Sequence, residues 1–245
     1  MLKGKAKIIV LCGVAAVIIG TAVLTTSAVT NNLQKEKKND FVPAVISLAV
    51  VENNEENSDS ELKKPLEWKS DNENYKADKK VEIANLNNKD ENNTSAYIRV
   101  CINPRWTAEV TVNAGTAEES KVMVDADMPL DDFGALTAIE INQESNSYKM
   151  GDVTFNLADN WSENWFYNSK DGYFYCKKVI AFGDKTPELL ASVMISSKTK
   201  EKLDSLGAKL TVDILADGIQ SEGKAANTMW TNVKINSDRK LEKKE

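Results

Sequence analysis

The chain has 245 residues, 31 basic against 37 acidic side chains, a formal net charge of −6 and no histidine. That acidity argues against nucleic acid or an anionic membrane surface as partner, since both need a basic face. The missing histidine rules out a His-Glu-Xaa-Xaa-His zinc helix and every Ser/His/Asp or Cys/His arrangement. At 42% hydrophobic residues, the length suits one β-sandwich of ordinary size or two small domains.

Lys3, Lys5 and Lys7 precede an uncharged apolar run from Ile8 to Leu24, followed by Thr25-Thr26-Ser27-Ala28. The order basic, apolar, small reads residues 1–28 as a signal peptide or N-terminal anchor. The run is longer than a usual signal core of about 7–15 residues and short for a membrane span. Thr26-Ser27-Ala28 is the candidate cleavage site. Membrane contact is expected only through residues 8–28, if they stay uncleaved. Either way residues 29–245 are exported, and without the three lysines they hold 28 basic against 37 acidic residues. Residues 29–40 read as a polar linker, 41–235 as the folded domain and 236–245 as a charged tail.

Phe41–Val51 reads as a long apolar strand, with Pro43 where an edge or first residue tolerates it. It is apolar on nearly both faces, which favours burial between sheets or subunits over an exposed edge. Phe41, Val45, Ile46, Leu48 and Val50 are therefore the candidate assembly residues. The plainer reading pairs the strand within its own domain. Residues 52–80 are rich in Asn, Glu and Lys, with Leu62, Leu66 and Trp68 as apolar anchors, and read as a long polar connection.

Short alternating runs then recur at Val81–Ile83, Ala96–Ile102, Val110/Val112, Leu136–Ile141, Val153–Leu157, Asp171–Lys178 and Lys209–Ile214. Each alternates or carries the aromatic content of a strand. Glycines at 115, 134, 151, 172, 183 and 207 punctuate them as turns. Thr186–Ser205 reads as holding a short helix, opened by Pro187 and closed before Gly207. The fold class expected is all-β, an antiparallel β-sandwich with a short helix.

Chemistry has few candidates. Cys12 lies in the apolar segment, leaving Cys101 and Cys176, too few for a thiolate zinc site without histidine. A disulfide between them stays open, although alternation sets Cys101 with Arg99, opposite Ile98, Val100 and Ile102. Asp125, Asp127, Asp131 and Asp132 are the only weak metal candidates. Calcium would suit their oxygens, but Pro129 and Leu130 stand where an EF-hand loop needs an acid or amide and a glycine. A solvated acidic loop is the reading taken. Trp161, Trp165, Phe166, Tyr167, Tyr173, Phe174 and Tyr175 offer a stacking platform or, by strand propensity, a core. No catalytic residue and no cofactor is expected.

Several motifs recur in a fixed order. Asn39-Asp40-Phe41 leads into Val45–Val51, and Lys79–Asn85 is a lysine-led strand. Ala96-Tyr97-Ile98-Arg99-Val100 runs on to Pro104-Arg105-Trp106, and Asp171–Lys178 is followed by Gly183-Asp184-Lys185-Thr186-Pro187. Leu210–Gln220 comes last, with Gly223 and Trp230. Over about residues 1–235 this series resembles the TasA/camelysin family of exported Gram-positive matrix proteins. The resemblance implies a jelly-roll-like sandwich processed by a dedicated signal peptidase and located outside the cell or on its surface. It further implies a structural role in a biofilm matrix, with self-association or association with other matrix proteins, and fibre formation by strand addition. Some members are assigned a metallopeptidase activity, against which the absence of histidine speaks here. A surface module binding glycan or protein through the 161–175 aromatics is the third reading.

Overall fold

Alternation becomes two facing sheets in the computed structural model, which describes residues 45–56, 66–87, 93–112, 114–117, 120–125, 140–142, 144–223 and 225–244. In chain order the strands are β1 (Leu48–Glu52), β2 (Glu55–Glu56), β3 (Lys69–Asp71), β4 (Asn74–Asn85), β5 (Ala96–Val112), β6 (Ser120–Asp125), β7 (Glu140–Asn142) and β8 (Ser147–Met150). They continue as β9 (Val153–Leu157), β10 (Trp165–Asn168), β11 (Tyr173–Cys176), β12 (Leu190–Ser196), β13 (Ala208–Gln220), β14 (Val233–Ile235) and β15 (Leu241–Lys243). The helices are short: α1 (Trp161–Asn164), α2 (Ser197–Ser205) and α3 (Ala225–Met229).

One sheet runs β2-β1-β4-β12-β9-β8-β7, with β3 beside β4. The other runs β10-β11-β5-β13, with β6 beside β5, and β14 and β15 form a separate hairpin. Strand neighbours in both sheets are antiparallel. The longest ladder joins β5 to β13 without a bulge, from Ala96↔Gln220 to Ala108↔Ala208. Their even-numbered residues, among them Ile98, Val100, Ile102, Leu210, Val212 and Ile214, share one core with Val81, Ile83, Phe155, Leu190 and Val193 of the first sheet. Burying each such side chain is worth roughly 1.5–3 kcal/mol, so this layer holds the two sheets together. Tyr148 and Phe155 stack within it, centroids 4.7 Å apart. Asn53 and Asn54, with φ of 51° and 72°, supply the paired left-handed residues that a two-residue hairpin requires between β1 and β2.

Several expectations change. Thr186–Ser205 does hold a short helix, but it does not start at Pro187: Leu190–Ser196 is strand β12, placed between β4 and β9, where Leu190, Val193 and Ile195 are buried. The helix starts only at Ser197, where the Ser196 hydroxyl accepts from the Thr199 amide at 3.1 Å, an N-cap. The polar stretch 52–80 also holds ordered strands, since β3 and half of β4 lie in it. There Lys76, Asp78 and Lys80 point out while Ala77 and Lys79 are buried, and the inward lysine disguised the alternation. Residues 236–244 are not a charged tail. Leu241 is 1% exposed, its amide bonds to the Lys177 carbonyl at 2.9 Å, and β15 pairs with β14. One apolar anchor thus extends the folded domain past residue 235. Val110 and Val112 belong to β5 itself. The first strand is described from Leu48, with Val45 in an isolated parallel bridge to Asn93. The export segment 1–28, the linker 29–40, Phe41 and residues 136–139 lie outside the described residues.

Candidate functional site

The first strand lies in a groove built from both sheets. Pairing of β1 with β4 sets Leu48 opposite Asn85, Val50 opposite Ile83 and Glu52 opposite Val81. Period-two alternation then turns Leu48, Val50 and Glu52 to one side, and Ile46, Leu48 and Val50 pack against the common core. Across the sandwich the floor is Gly218 of β13. A methyl group there would stand 2.9 Å from Leu48 Cδ1 and 3.3 Å from Ile46 Cγ2, so the missing side chain is the space these two residues fill.

The closed end of the groove is electrostatic. Lys79 shares its β4 face with Val81 and Ile83 and is 5% exposed, a position that an unpaired ammonium would not tolerate. Glu52 meets it, Oε1 to Nζ at 2.5 Å, with side chains 12% and 6% exposed. The hairpin turn is tied beside this pair. Asn53 N–H donates to the Lys80 carbonyl and Lys80 N–H to Asn53 Oδ1, both at 3.0 Å. At the other end Leu86 N–H donates to the Ser47 carbonyl at 2.7 Å. The far edge of β1 is covered by β2 only at Val51 and Glu52; among the described residues no strand pairs with Leu48–Val50 on that side.

The aromatic set divides between the two sides of the β5 sheet. Trp161, Trp165 and Phe174 are buried in the common core, with Tyr167 packed against it. Phe166, Tyr173 and Tyr175 lie on the outer side, in a second cluster with Tyr97, Ala226, Trp230, Val233 and Leu241. Residues 225–244 therefore cover what would otherwise be a stacking platform. Within this cluster the Arg99 guanidinium carbon lies 4.1 Å from the Tyr173 ring centroid and 4.9 Å from that of Trp230. Its Nη2 pairs with Asp217 Oδ2 at 2.7 Å, and its Nη1 donates to the Tyr175 hydroxyl at 3.2 Å. Tyr175 donates in turn to Asp171 Oδ2 at 2.7 Å. Burial, reinforced by that bond to Asp171, pushes the Tyr175 hydroxyl up to about 12. Burial opposes the Arg99 charge, but the bonds to Tyr175 and Asp217 outweigh it and raise its pKa.

Neither cysteine is poised for chemistry. Cys101 and Cys176 are free thiols, Cys101 half-buried and Cys176 buried in the common core. Burial raises both, Cys176 to about 11, so the nucleophilic thiolate is scarce at neutral pH. Of the acidic candidates, Asp125 ends β6, while Asp127, Asp131 and Asp132 lie outside the described residues. Among the described residues no three His, Cys, Asp or Glu side chains gather as metal ligands.

Sequence reasoning found Ile46, Leu48 and Val50 but missed Gly218, Lys79 and Glu52. A faint signal existed: Glu52 continues the alternation of Ile46, Leu48 and Val50, and Lys79 that of Val81 and Ile83. The structure brings these residues together, and it divides the aromatic candidates between the common core and the covered outer cluster. No protein-family description, no curated protein and no solved structure matches this chain.

Proposed function

We propose that the chain is an exported structural protein of the cell surface or extracellular matrix, a jelly-roll-like sandwich whose copies associate by exchange of the first strand. The groove around β1 carries this reading: Ile46 and Leu48 fill a notch at Gly218, on a strand whose other edge is covered for two residues. Such a strand combines main-chain hydrogen bonding with side-chain pockets, the two elements of strand addition between chains. The basic, apolar and small order of residues 3–28 supports export, and the ordered motifs resembling the TasA/camelysin family support a matrix role. Partners are then a signal peptidase during export and afterwards other copies or other matrix proteins. The place of β1 at one side of its sheet, flanked outwardly only by the two-residue β2 among the described residues, supports this reading.

The test is assembly of the protein secreted into culture medium, followed by electron microscopy and sedimentation. Wild type is expected to form filaments, and Ile46→Asp and Leu48→Asp to leave folded monomers that do not elongate. Filaments at the same protein concentration with both positions charged would overturn strand exchange.

A further inference from the structure

We infer, resting on strand exchange, that the Glu52–Lys79 pair selects what the groove accepts: the first strand of a second copy of this chain, in one register. Two features on opposite walls read an incoming strand. Gly218 offers space for the bulk of Ile46 and Leu48, and Lys79 presents a nearly buried ammonium to the position of Glu52. When β1 leaves, Lys79 loses its carboxylate, and any strand that covers it again must supply one, since burying one charge alone costs far more than burying the pair. A strand with an apolar residue at that point would leave the same deficit. A slip of one residue would turn its carboxylate to the opposite face, and a slip of two would move it by roughly 7 Å. The groove therefore specifies an Ile-Xaa-Leu-Xaa-Val-Xaa-Glu strand, which residues 46–52 provide. Charge at Lys79 makes recognition selective as well as sticky, because a mismatched partner meets repulsion or an unpaired ion.

Exchanging the charges separates this selection from exchange itself. In the full chain, Glu52→Lys with Lys79→Glu rebuilds the pair reversed, so this double variant should associate with itself. It should be excluded from wild-type assemblies, because both mixed contacts place like charges together. With the two proteins labelled with donor and acceptor fluorophores, mixed association should fall roughly tenfold or more below either self-association. The single variants give a second measurement that does not depend on the double variant folding. Glu52→Lys alone and Lys79→Glu alone should each fail to assemble. Mixed, they should co-assemble, since the strand of each then fits the groove of the other. Free mixing of the double variant with wild type, or no rescue on mixing the singles, would overturn charge selection while leaving strand exchange standing. Wild-type chains that never associate would overturn strand exchange and the selection with it.

Discussion

The Arg99 guanidinium carbon of β5 lies over the Trp230 ring of the C-terminal segment, 4.9 Å from its centroid, and over the Tyr173 ring at 4.1 Å. One cation thus joins the outer side of the sheet to the segment that covers it. Arg99→Ala removes this stacking and leaves Asp217 without the 2.7 Å ion pair, and should lower stability by about 2 kcal/mol. Arg99→Lys keeps the charge but loses the planar, forked guanidinium and should cost less than alanine. Urea unfolding followed by tryptophan fluorescence checks both; an alanine variant as stable as wild type would remove Arg99 from this role.

Gly218→Val should expel the first strand. Its Cβ would meet Leu48 Cδ1 at 2.9 Å, an overpacking that typically costs about 1–3 kcal/mol. Hydrogen exchange should quicken at Leu48–Glu52 while Leu210–Ile214 stays protected. Adding Leu48→Ala should recover part of the loss, because the two residues contest one volume. Equal exchange rates in β1 with and without the substitution would refute this.

Tyr175 gives the alkaline limb of stability a definite sign. Its hydroxyl ordinarily titrates at 10.0 and is raised to about 12 in the folded protein, so the folded state holds the proton more tightly. The associated stability is whole below pH 10 and is lost as pH rises through about 12. Tyr175→Phe should flatten that decline between those two values. Some slope should survive, since burial also raises Tyr97, Tyr148 and Tyr167. An identical alkaline slope in the variant, read from thermal melts, would exclude Tyr175 as its source.

Protein recovered from culture medium should begin between about Gly20 and Asn31. N-terminal sequencing reads this directly, and an intact Met1 or Leu2 on wholly membrane-bound protein would contradict cleavage.

The purified protein should show no chelator-sensitive peptidase activity, because no imidazole is available to hold or orient a zinc-bound water. Cleavage of a generic protein substrate, abolished both by chelator and by one acidic substitution, would contradict this.

Strands with strict alternation were plain in the sequence. Val153–Leu157 is β9 from end to end, and Lys209–Ile214 lies inside β13. Where alternation included an inward charge it was hidden, as at Lys79, whose partner Glu52 lies 27 positions earlier and is known only once β1 pairs with β4. The stop signal at Gly207 was real, since the helix ends at Ser205, but Pro187 lies in a loop ahead of β12 and the helix begins only at Ser197. Packing between β4 and β9 decided that division into strand and helix, and no local propensity carries such information. Gly218 carried no signal of its own inside the Leu210–Gln220 strand, because the residues that need its space, Ile46 and Leu48, come from the opposite sheet.

The β5–β13 ladder also sets a timetable for folding. Arg99 and Asp217 are 118 positions apart, and the Tyr97 hydroxyl reaches the Arg239 carbonyl across 142. While the chain is still being made, β5 has no long neighbour, and β1 has no floor beneath Ile46 and Leu48 until residue 218 has emerged. Native pairing so remote in sequence brings slow closure, typically milliseconds to seconds for all-β domains. Until then, the apolar faces of β1 and β5 stay open to proteases and to other unfinished chains. A product truncated before β13 would keep that vulnerability, because it lacks both the long neighbour of β5 and the floor of β1.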